Sequence, residues 1–367
     1  SCFRFTAFPC GRMAPTTLDT PFGSYVSLVA MPGNSLVLFV FAAFLLLVVR
    51  EAHDRRRVAA ALSIVGLVLL GLVLPTGIAS QADTRQVSLV QGDVPGVFLT
   101  WPIGEIFELH AKETDKLAQD IESGKTAKPD MVLWPENATD IDPYHDQGAR
   151  ARIEGLSARI GAPILVGGLF DGPTTTTSYN AGVVWDANGP GERYVKLKPV
   201  PFGEYVPWRK EAGAVFSRLA RDIPRDMLAG HEPGAIQIGD TVIGDTICYD
   251  IAYDSVTRRA IDAGAQVLVV QTSNAAFTGT SQPEQQWDIS RLRAIETGRW
   301  VVVPSTNGIS GVVNPDGHVV ERAPMHKPAI VNAEVGLADG STPALKIGAS
   351  LEYLEGKQLP GLVVLDE

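Results

Sequence analysis

Cys248 stands in Asp245-Thr246-Ile247-Cys248-Tyr249-Asp250, at the end of an apolar, strand-like run and directly before a polar segment that starts a helix. A thiolate is a strong nucleophile, yet a thiol at a strand end is more often an inert core group, and partners decide between the two. In Leu133-Trp134-Pro135-Glu136-Asn137 the proline ends a buried strand and turns the chain, which leaves Glu136 beside aromatic surface. A carboxylate held there can act as general base; the alternative is an ordinary solvated loop glutamate. Further on, Lys196 and Lys198 fall on one face of a strand, so that one of them can point into a site and stabilise an oxyanion, the alternative being a solvated strand edge. Behind them Pro201-Phe202-Gly203-Glu204-Tyr205-Val206-Pro207 reads as a rigid, shaped loop carrying a further acid, Glu204.

The elements that must position these groups are strands and helices in alternation. Strands are expected at 86–90, 131–134, 163–170, 180–185 and 193–200, then a hairpin of 236–238 with 241–248 turning at Gly239-Asp240. Another strand is expected at 266–271, one at 300–304, and a hairpin over 311–320 turning at Asn314-Pro315-Asp316-Gly317. Helical periods fall between them: Ile103, Phe107, His110, Leu117 and Ile121 on one face, then 150–160, 252–263 and 285–297. Several strands are apolar on both faces, which indicates a layered α/β domain with covered sheets over 82–345. The remainder, 346–367, is a weakly patterned tail whose Leu362–Leu365 run is too short to cross a bilayer.

Composition narrows the function. The 367 residues are 45% hydrophobic, enough for a large core, and the net charge of −10 argues against nucleic-acid binding, which needs a concentrated basic surface. Three cysteines, Cys2, Cys10 and Cys248, are too few and too scattered for a disulfide framework or a CxxC metal site, and no HExxH spacing occurs.

The first 81 residues are of another kind. No charge occurs from Pro21 to Val49 or from Val58 to Gln81, and neither stretch has a polar face at helical spacing. Both are long enough to span a bilayer, over about 28–49 and 58–78, and the amphipathic pattern that a pair of soluble core helices requires is missing. Between them Arg50-Glu51-Ala52-His53-Asp54-Arg55-Arg56-Arg57 carries four arginines; such short basic loops stay in the cytoplasm, so everything after about Ile78 is expected on the extracytoplasmic face. The chain begins with Ser1, and its opening residues resemble neither a signal peptide nor a complete domain, so a truncated amino terminus is expected.

Taken together and in order, Leu133–Glu136, Tyr194–Lys196 with Val200–Pro207, and Ile247–Asp250 resemble the Glu-Lys-Cys triad of the nitrilase (carbon-nitrogen hydrolase) superfamily. Within it the chain is similar to the apolipoprotein N-acyltransferase family over roughly residues 15–350, with further matching stretches at Gln91–Pro95 with Trp101, Gln271–Phe277, Ser290–Arg299 and Ser305–Gly311. The resemblance implies a nitrilase-like α-β-β-α sandwich preceded by a transmembrane hairpin, in a multi-pass protein of the bacterial cell membrane. It implies Glu136 as general base, Lys196 as oxyanion stabiliser and Cys248 as nucleophile, with Glu204 and Tyr249 supporting them and Trp101 and Asn274 at the substrate. It also implies acyl transfer from a phospholipid, through a cysteine thioester, to the terminal amine of a diacylglyceryl apolipoprotein, without metal or dissociable cofactor. A membrane-tethered amidase using the same triad, or an inactive scaffold, are the rival readings. Lys198 stands where the family pattern has histidine, Asp250 where many members have glutamate, and Asp93 where asparagine is usual. Family members carry more membrane helices than the two found here, in keeping with the expected truncation.

Overall fold

A computed structural model describes residues 12–51, 53–77, 83–94, 101–209 and 223–347. Two sheets form the body of the protein. The first has the order β13-β1-β2-β3-β4-β5, built from Ala329–Gly336 (β13), Thr84–Gln91 (β1), Met131–Leu133 (β2), Ile164–Asp171 (β3), Thr177–Asp186 (β4) and Gly189–Val195 (β5), with the short Asp226–Met227 (β6) beside β4. The second has the order β12-β11-β10-β9-β8-β7, from Val319–Arg322 (β12), Gly311–Val313 (β11), Val301–Val303 (β10), Val267–Gln271 (β9), Thr241–Ile247 (β8) and Ala235–Ile238 (β7). In each sheet the central strands β1-β2-β3 and β8-β9-β10 run parallel.

The period-2 alternation sorts side chains between two layers. Met131, Leu133, Leu165, Ile243, Val267, Val269 and Val302 meet in the core between the sheets. Their neighbours Val132, Trp134, Ile164 and Val166 turn outward onto helices α3 (Glu105–Glu122) and α4 (Gln147–Ile160). On the far side Leu268, Val270, Val301 and Val303 lie under α6 (Gln282–Thr297), with α5 (Asp254–Asp262) beside β8. Strands apolar on both faces are what a sheet covered on both sides needs, and the result is the expected α-β-β-α sandwich.

Several expected boundaries shift. Ile103 lies outside α3 and is 86% exposed, because α3 starts at Glu105 after a left-handed Gly104; the apolar stripe is instead Ile106, Phe107, His110, Ala111, Leu117 and Ala118. The strand expected over 193–200 ends at Val195. Strand β13 was not expected, although Val331, Ala333 and Val335 alternate inward along it; it pairs with β1 from Thr84↔Gly336 to Gln91↔Ala329 and closes the sheet with chain-distant partners.

Helices α1 (Val26–Arg50) and α2 (Asp54–Val73) form an antiparallel hairpin. The second begins four residues earlier than expected, with Asp54 in the first turn favouring the helix dipole, and stops ahead of Pro75. Both are long and apolar enough to cross a membrane, and in their most apolar windows only 6% and 11% of residues are buried, which excludes the core helices of a soluble domain. Close packing holds the pair: Gly71 lies against the Pro21 carbonyl, where a Cβ would come within 2.1 Å, and Tyr25 Oη donates to the Leu67 carbonyl at 2.6 Å. The hairpin is fastened to the sandwich through α6, by Arg291–Asp19 (2.6 Å), and by Arg12–Asp254 (2.5 Å) and Thr76–Asp316 (2.8 Å).

Candidate active site

The site residues sit at the ends of strands from both sheets. Glu136 follows β2, where Pro135 interrupts the ladder and Asn137 takes a positive φ of 54°. Its Oε2 accepts from the Ser273 N–H (2.8 Å) beyond β9, and Thr306 Oγ1 donates to its carbonyl (2.7 Å) beyond β10, so three strand ends converge on one residue. Close approach of neighbouring backbones is required here: a Cβ on Gly167 of β3 would come 2.2 Å from the Pro135 carbonyl oxygen, just past the end of the adjacent β2.

Lys196 is the first residue past β5 and only 1% exposed, while Lys198 is exposed and lies 5.7 Å from the centre of the Tyr253 ring. Lys196 Nζ donates to Glu136 Oε1 (3.1 Å) and to Glu204 Oε1 (2.8 Å), and Asn180 Nδ2 bridges the same two oxygens at 2.7 and 2.8 Å. Burial works against the lysine's charge, but the Glu136 and Glu204 carboxylates outweigh it and hold its pKa well above the ordinary value. Glu204 is fixed from the other side by the Val200 N–H, which donates to its Oε2 at 2.6 Å.

Cys248 closes β8 with φ 51°, a left-handed backbone that a non-glycine residue adopts at a cost of about 1–3 kcal/mol. Asp250 holds that turn. Its carboxylate accepts from Tyr194 Oη (2.7 Å), from the Lys198 N–H (2.9 Å) and from the Ile247 N–H (3.4 Å), tying the turn to the segment that carries Lys196. Burial and the Glu136 charge push the Cys248 thiol up to about 12, against the opposing pull of Lys196, so in the resting protein it is a neutral thiol beside a carboxylate and a cation. Gln286, on the first turns of α6, turns its carboxamide toward the same thiol and also draws its pKa down.

The structure therefore brings Glu136, Lys196, Glu204 and Cys248 together. Tyr249 lies in the core under α6, its ring edge-on to Tyr253 at 5.2 Å. Asn274 is buried, and its amide is engaged by Ser305, Gln282 and Gln286. Trp101 is half-buried, just ahead of α3. Asn180 and Gln286 were not singled out by the sequence reasoning, and Asp250 only as a departure from the family pattern; for the first two the available signal was a polar side chain inside an otherwise apolar element. Metal ligation is not what this cluster is shaped for, since its two carboxylates already share an ammonium and an amide.

Comparison with known proteins agrees with this geometry. The Carbon-nitrogen hydrolase family matches residues 109–342. The chain is 38% identical over 297 residues to the apolipoprotein N-acyltransferase of Mycolicibacterium smegmatis, a match covering 77% of this chain and 49% of that protein. It is 25% identical to that of Coxiella burnetii, over 93% of this chain and 69% of the relative. The chain thus spans about half the length of the first of these relatives and about two thirds of the second. Among solved structures, an amidase of the nitrilase superfamily from Nesterenkonia AN1 aligns with TM-score 0.53 at 17% identity, covering 77% of this chain and 99% of the amidase. A second structure of that amidase, with the acetamide moiety of fluoroacetamide added covalently at its active-site cysteine, aligns with TM-score 0.52 at 18% identity, over 77% of this chain and all of the amidase. With the family matched over most of its length and the two-sheet sandwich in place, this chain belongs to the carbon-nitrogen hydrolase family.

Proposed function

We propose that the chain carries the catalytic machinery of an apolipoprotein N-acyltransferase, with Cys248 as nucleophile, Glu136 as base and Lys196 as oxyanion stabiliser. The observation that carries this reading is a buried lysine held between Glu136 and Glu204 beside a strand-end thiol, in a domain fastened to two lipid-compatible helices. The Arg50–Arg57 loop on the cytoplasmic side would place the sandwich on the extracytoplasmic face, in a bacterial cell membrane, where exported lipoproteins arrive.

Because the resting thiol is neutral, it needs a base at the moment of attack. Glu136 takes the Cys248 proton as sulfur attacks the ester carbonyl of a phospholipid. The C–S bond forms, and the charge that collects on the carbonyl oxygen is met by Lys196, whose cation is secured by two carboxylates. Collapse breaks the ester C–O bond, the departing lysophospholipid oxygen takes the proton from Glu136, and a thioester remains on Cys248. The α-amine of a diacylglyceryl-cysteine apolipoprotein then attacks the thioester and loses a proton to Glu136. An amide forms, and the thiol recovers its proton as the C–S bond breaks. Glu204 keeps Lys196 charged and aimed, and Trp101 and Tyr249 lie on the segments that would line the acyl pocket.

The test is incubation of the membrane-embedded protein with labelled phospholipid and a diacylglyceryl-cysteine peptide. Label on the peptide amine, with an acyl mass increment on wild-type Cys248 that Cys248→Ser lacks, supports the reading. Hydrolysis of small amides without transfer replaces it with an amidase, and the absence of any acyl-enzyme replaces it with a binding scaffold.

A further inference from the structure

Gln286 is 6% exposed and is not one of the three triad residues. Its Oε1 accepts from Thr272 Oγ1 (2.8 Å) and from Asn274 Nδ2 (2.9 Å), while its Nε2 has no hydrogen-bond partner among the described residues and the carboxamide faces the Cys248 thiol. A backbone group sets which way this amide points. The Gly308 N–H, which can only donate, gives its hydrogen to Ser305 Oγ (2.9 Å), and that hydroxyl in turn donates to Asn274 Oδ1 (3.1 Å). Asn274 therefore presents its NH2 group to Gln286 Oε1, and Gln286 is left with its own NH2 group toward the sulfur. Gly308 is tightly placed: a Cβ there would come 2.0 Å from Asn274 Oδ1. The relay thus runs with one polarity from the loop after β10, through the loop after β9, to the thiol.

We infer that Gln286 is a further catalytic residue, whose Nε2–H hydrogen-bonds the sulfur of Cys248 as it becomes a thiolate, and that Asn274, Ser305 and Gly308 are positioning residues that fix the direction of this donor. A buried donor without an acceptor is unfavourable, and ionisation of the thiol supplies the acceptor, so the relay favours the reactive form of the nucleophile over the resting one. The inference rests on the reading of Cys248 as nucleophile. The charged groups that face the thiol are Glu136 from the loop after β2, Lys196 from the segment after β5, and Glu204 from the loop behind it; Asp250 holds its own turn. Among these Lys196 alone opposes the carboxylates, and Gln286 adds a neutral donor on the same side of the balance.

The test follows Cys248 alkylation by iodoacetamide as a function of pH in the full chain in nanodiscs, with peptide mapping by mass spectrometry to separate it from Cys2 and Cys10. Gln286→Met keeps length and neutrality but removes the donor; it is expected to slow Cys248 alkylation about tenfold at pH 8 and to move the rising limb of the profile up by about one unit. Gln286→Glu keeps an oxygen for Thr272 and Asn274, so the fold of the relay is retained, and is expected to shift the profile further. A wild-type rate in either variant overturns the inference, as does equal slowing in Gln286→Met and Gln286→Glu, which would mean altered access, since a carboxylate beside the thiol has to suppress its ionisation more than a neutral side chain does. Alkylation involves no acyl substrate. Acyl transfer surviving in Cys248→Ser would therefore sink the nucleophile reading alone, while the two glutamine variants still decide the donor.

Discussion

Replacing Lys196 by methionine isolates what the buried cation does. The Oε1 atoms of Glu136 and Glu204 lie 3.1 and 2.8 Å from the same ammonium nitrogen, so they are at most about 6 Å from each other. Without the cation, two buried carboxylates at that separation repel by roughly 3 kcal/mol at an effective dielectric constant of about 20. Removing one member of a buried ion pair costs about 3–5 kcal/mol in general, so the repulsion is most of the expected loss. For a domain of this size that is roughly 6–12 °C in melting temperature. The repulsion needs both charges, so neutralising one of them should return most of the loss. In the wild-type chain the raised Lys196 pKa keeps the cation in place; its contribution is complete below the ordinary lysine value and is lost only as pH rises through the higher folded value. The assay is thermal unfolding in nanodiscs at pH 8, for Lys196→Met and for Lys196→Met with Glu204→Gln. The double variant should regain most of the stability and none of the acyl transfer. An unchanged melting temperature in Lys196→Met, or no recovery in the double variant, would refute the account of Lys196 as the group that lets two carboxylates coexist.

Three further outcomes are expected. Gly167→Ala should drive the Pro135 carbonyl away from a Cβ that would otherwise lie 2.2 Å from it, displacing Glu136; because misplacement of a base by about 1 Å can cost a hundredfold, acyl-enzyme formation measured by mass spectrometry should fall by about that factor while the melting temperature changes far less. Burial pushes Asp250 up to about 6, so its protonated form favours the folded chain: that contribution is full below about pH 3.9, the ordinary aspartate value, and is lost as pH rises through about 6. Asp250→Asn should flatten this slope in melting temperatures taken between pH 4 and 8, at a cost of about 1–3 kcal/mol where N–H donors meet an amide instead of a carboxylate. Arg293→Met should strand Asp254 and Glu296, which the guanidinium pairs at the foot of the membrane hairpin; a loss of about 3–5 kcal/mol and easier proteolysis of residues 12–25 are expected, and unchanged proteolysis would contradict the coupling.

Much of the architecture was legible because covered parallel strands leave continuous apolar runs, as at Met131–Trp134 and Val267–Gln271. Glu136 was legible too, since Pro135 both ends the strand and aims the next residue. Which lysine enters the site was not legible from the strand pattern, although the family resemblance pointed to Lys196. Lys196 and Lys198 share a face only if the strand continues, but β5 ends at Val195 and Asp250 takes the Lys198 N–H, leaving Lys198 in solvent. Strand β13 was missed because its partner β1 is more than 200 residues away, and short alternating runs carry little signal alone. Asn180 and Gln286 were missed for a related reason. A single polar residue within an apolar element becomes meaningful only once the chain has folded and its partner comes from another strand.

The membrane hairpin and the thiol are connected through α6. Near its start this helix carries Gln286 against Cys248, and two to three turns later it carries Arg293 and Glu296. Arg293 is fully buried; its Nε donates to the carbonyl of Ile251, three residues past the nucleophile, and its Nη groups pair with Asp254 and Glu296. Glu296 Oε1 in turn accepts from the Met31 N–H at 3.4 Å, where α1 breaks at Ala30 (φ 58°) and restarts. An alanine in that backbone region is strained, and such strain persists only where the surroundings over-determine it. Here the restart of the membrane helix is capped by a carboxylate whose partner also holds the turn that carries Cys248. Moving α1 relative to the sandwich would therefore pull on Glu296, then Arg293, then the Ile251 carbonyl, and the left-handed turn at Cys248 lies next along that path. A sandwich separated from its hairpin would keep Glu136, Lys196 and Glu204 in contact, since none of their hydrogen bonds involves α1 or α2, but would lose one end of the restraint on the thiol.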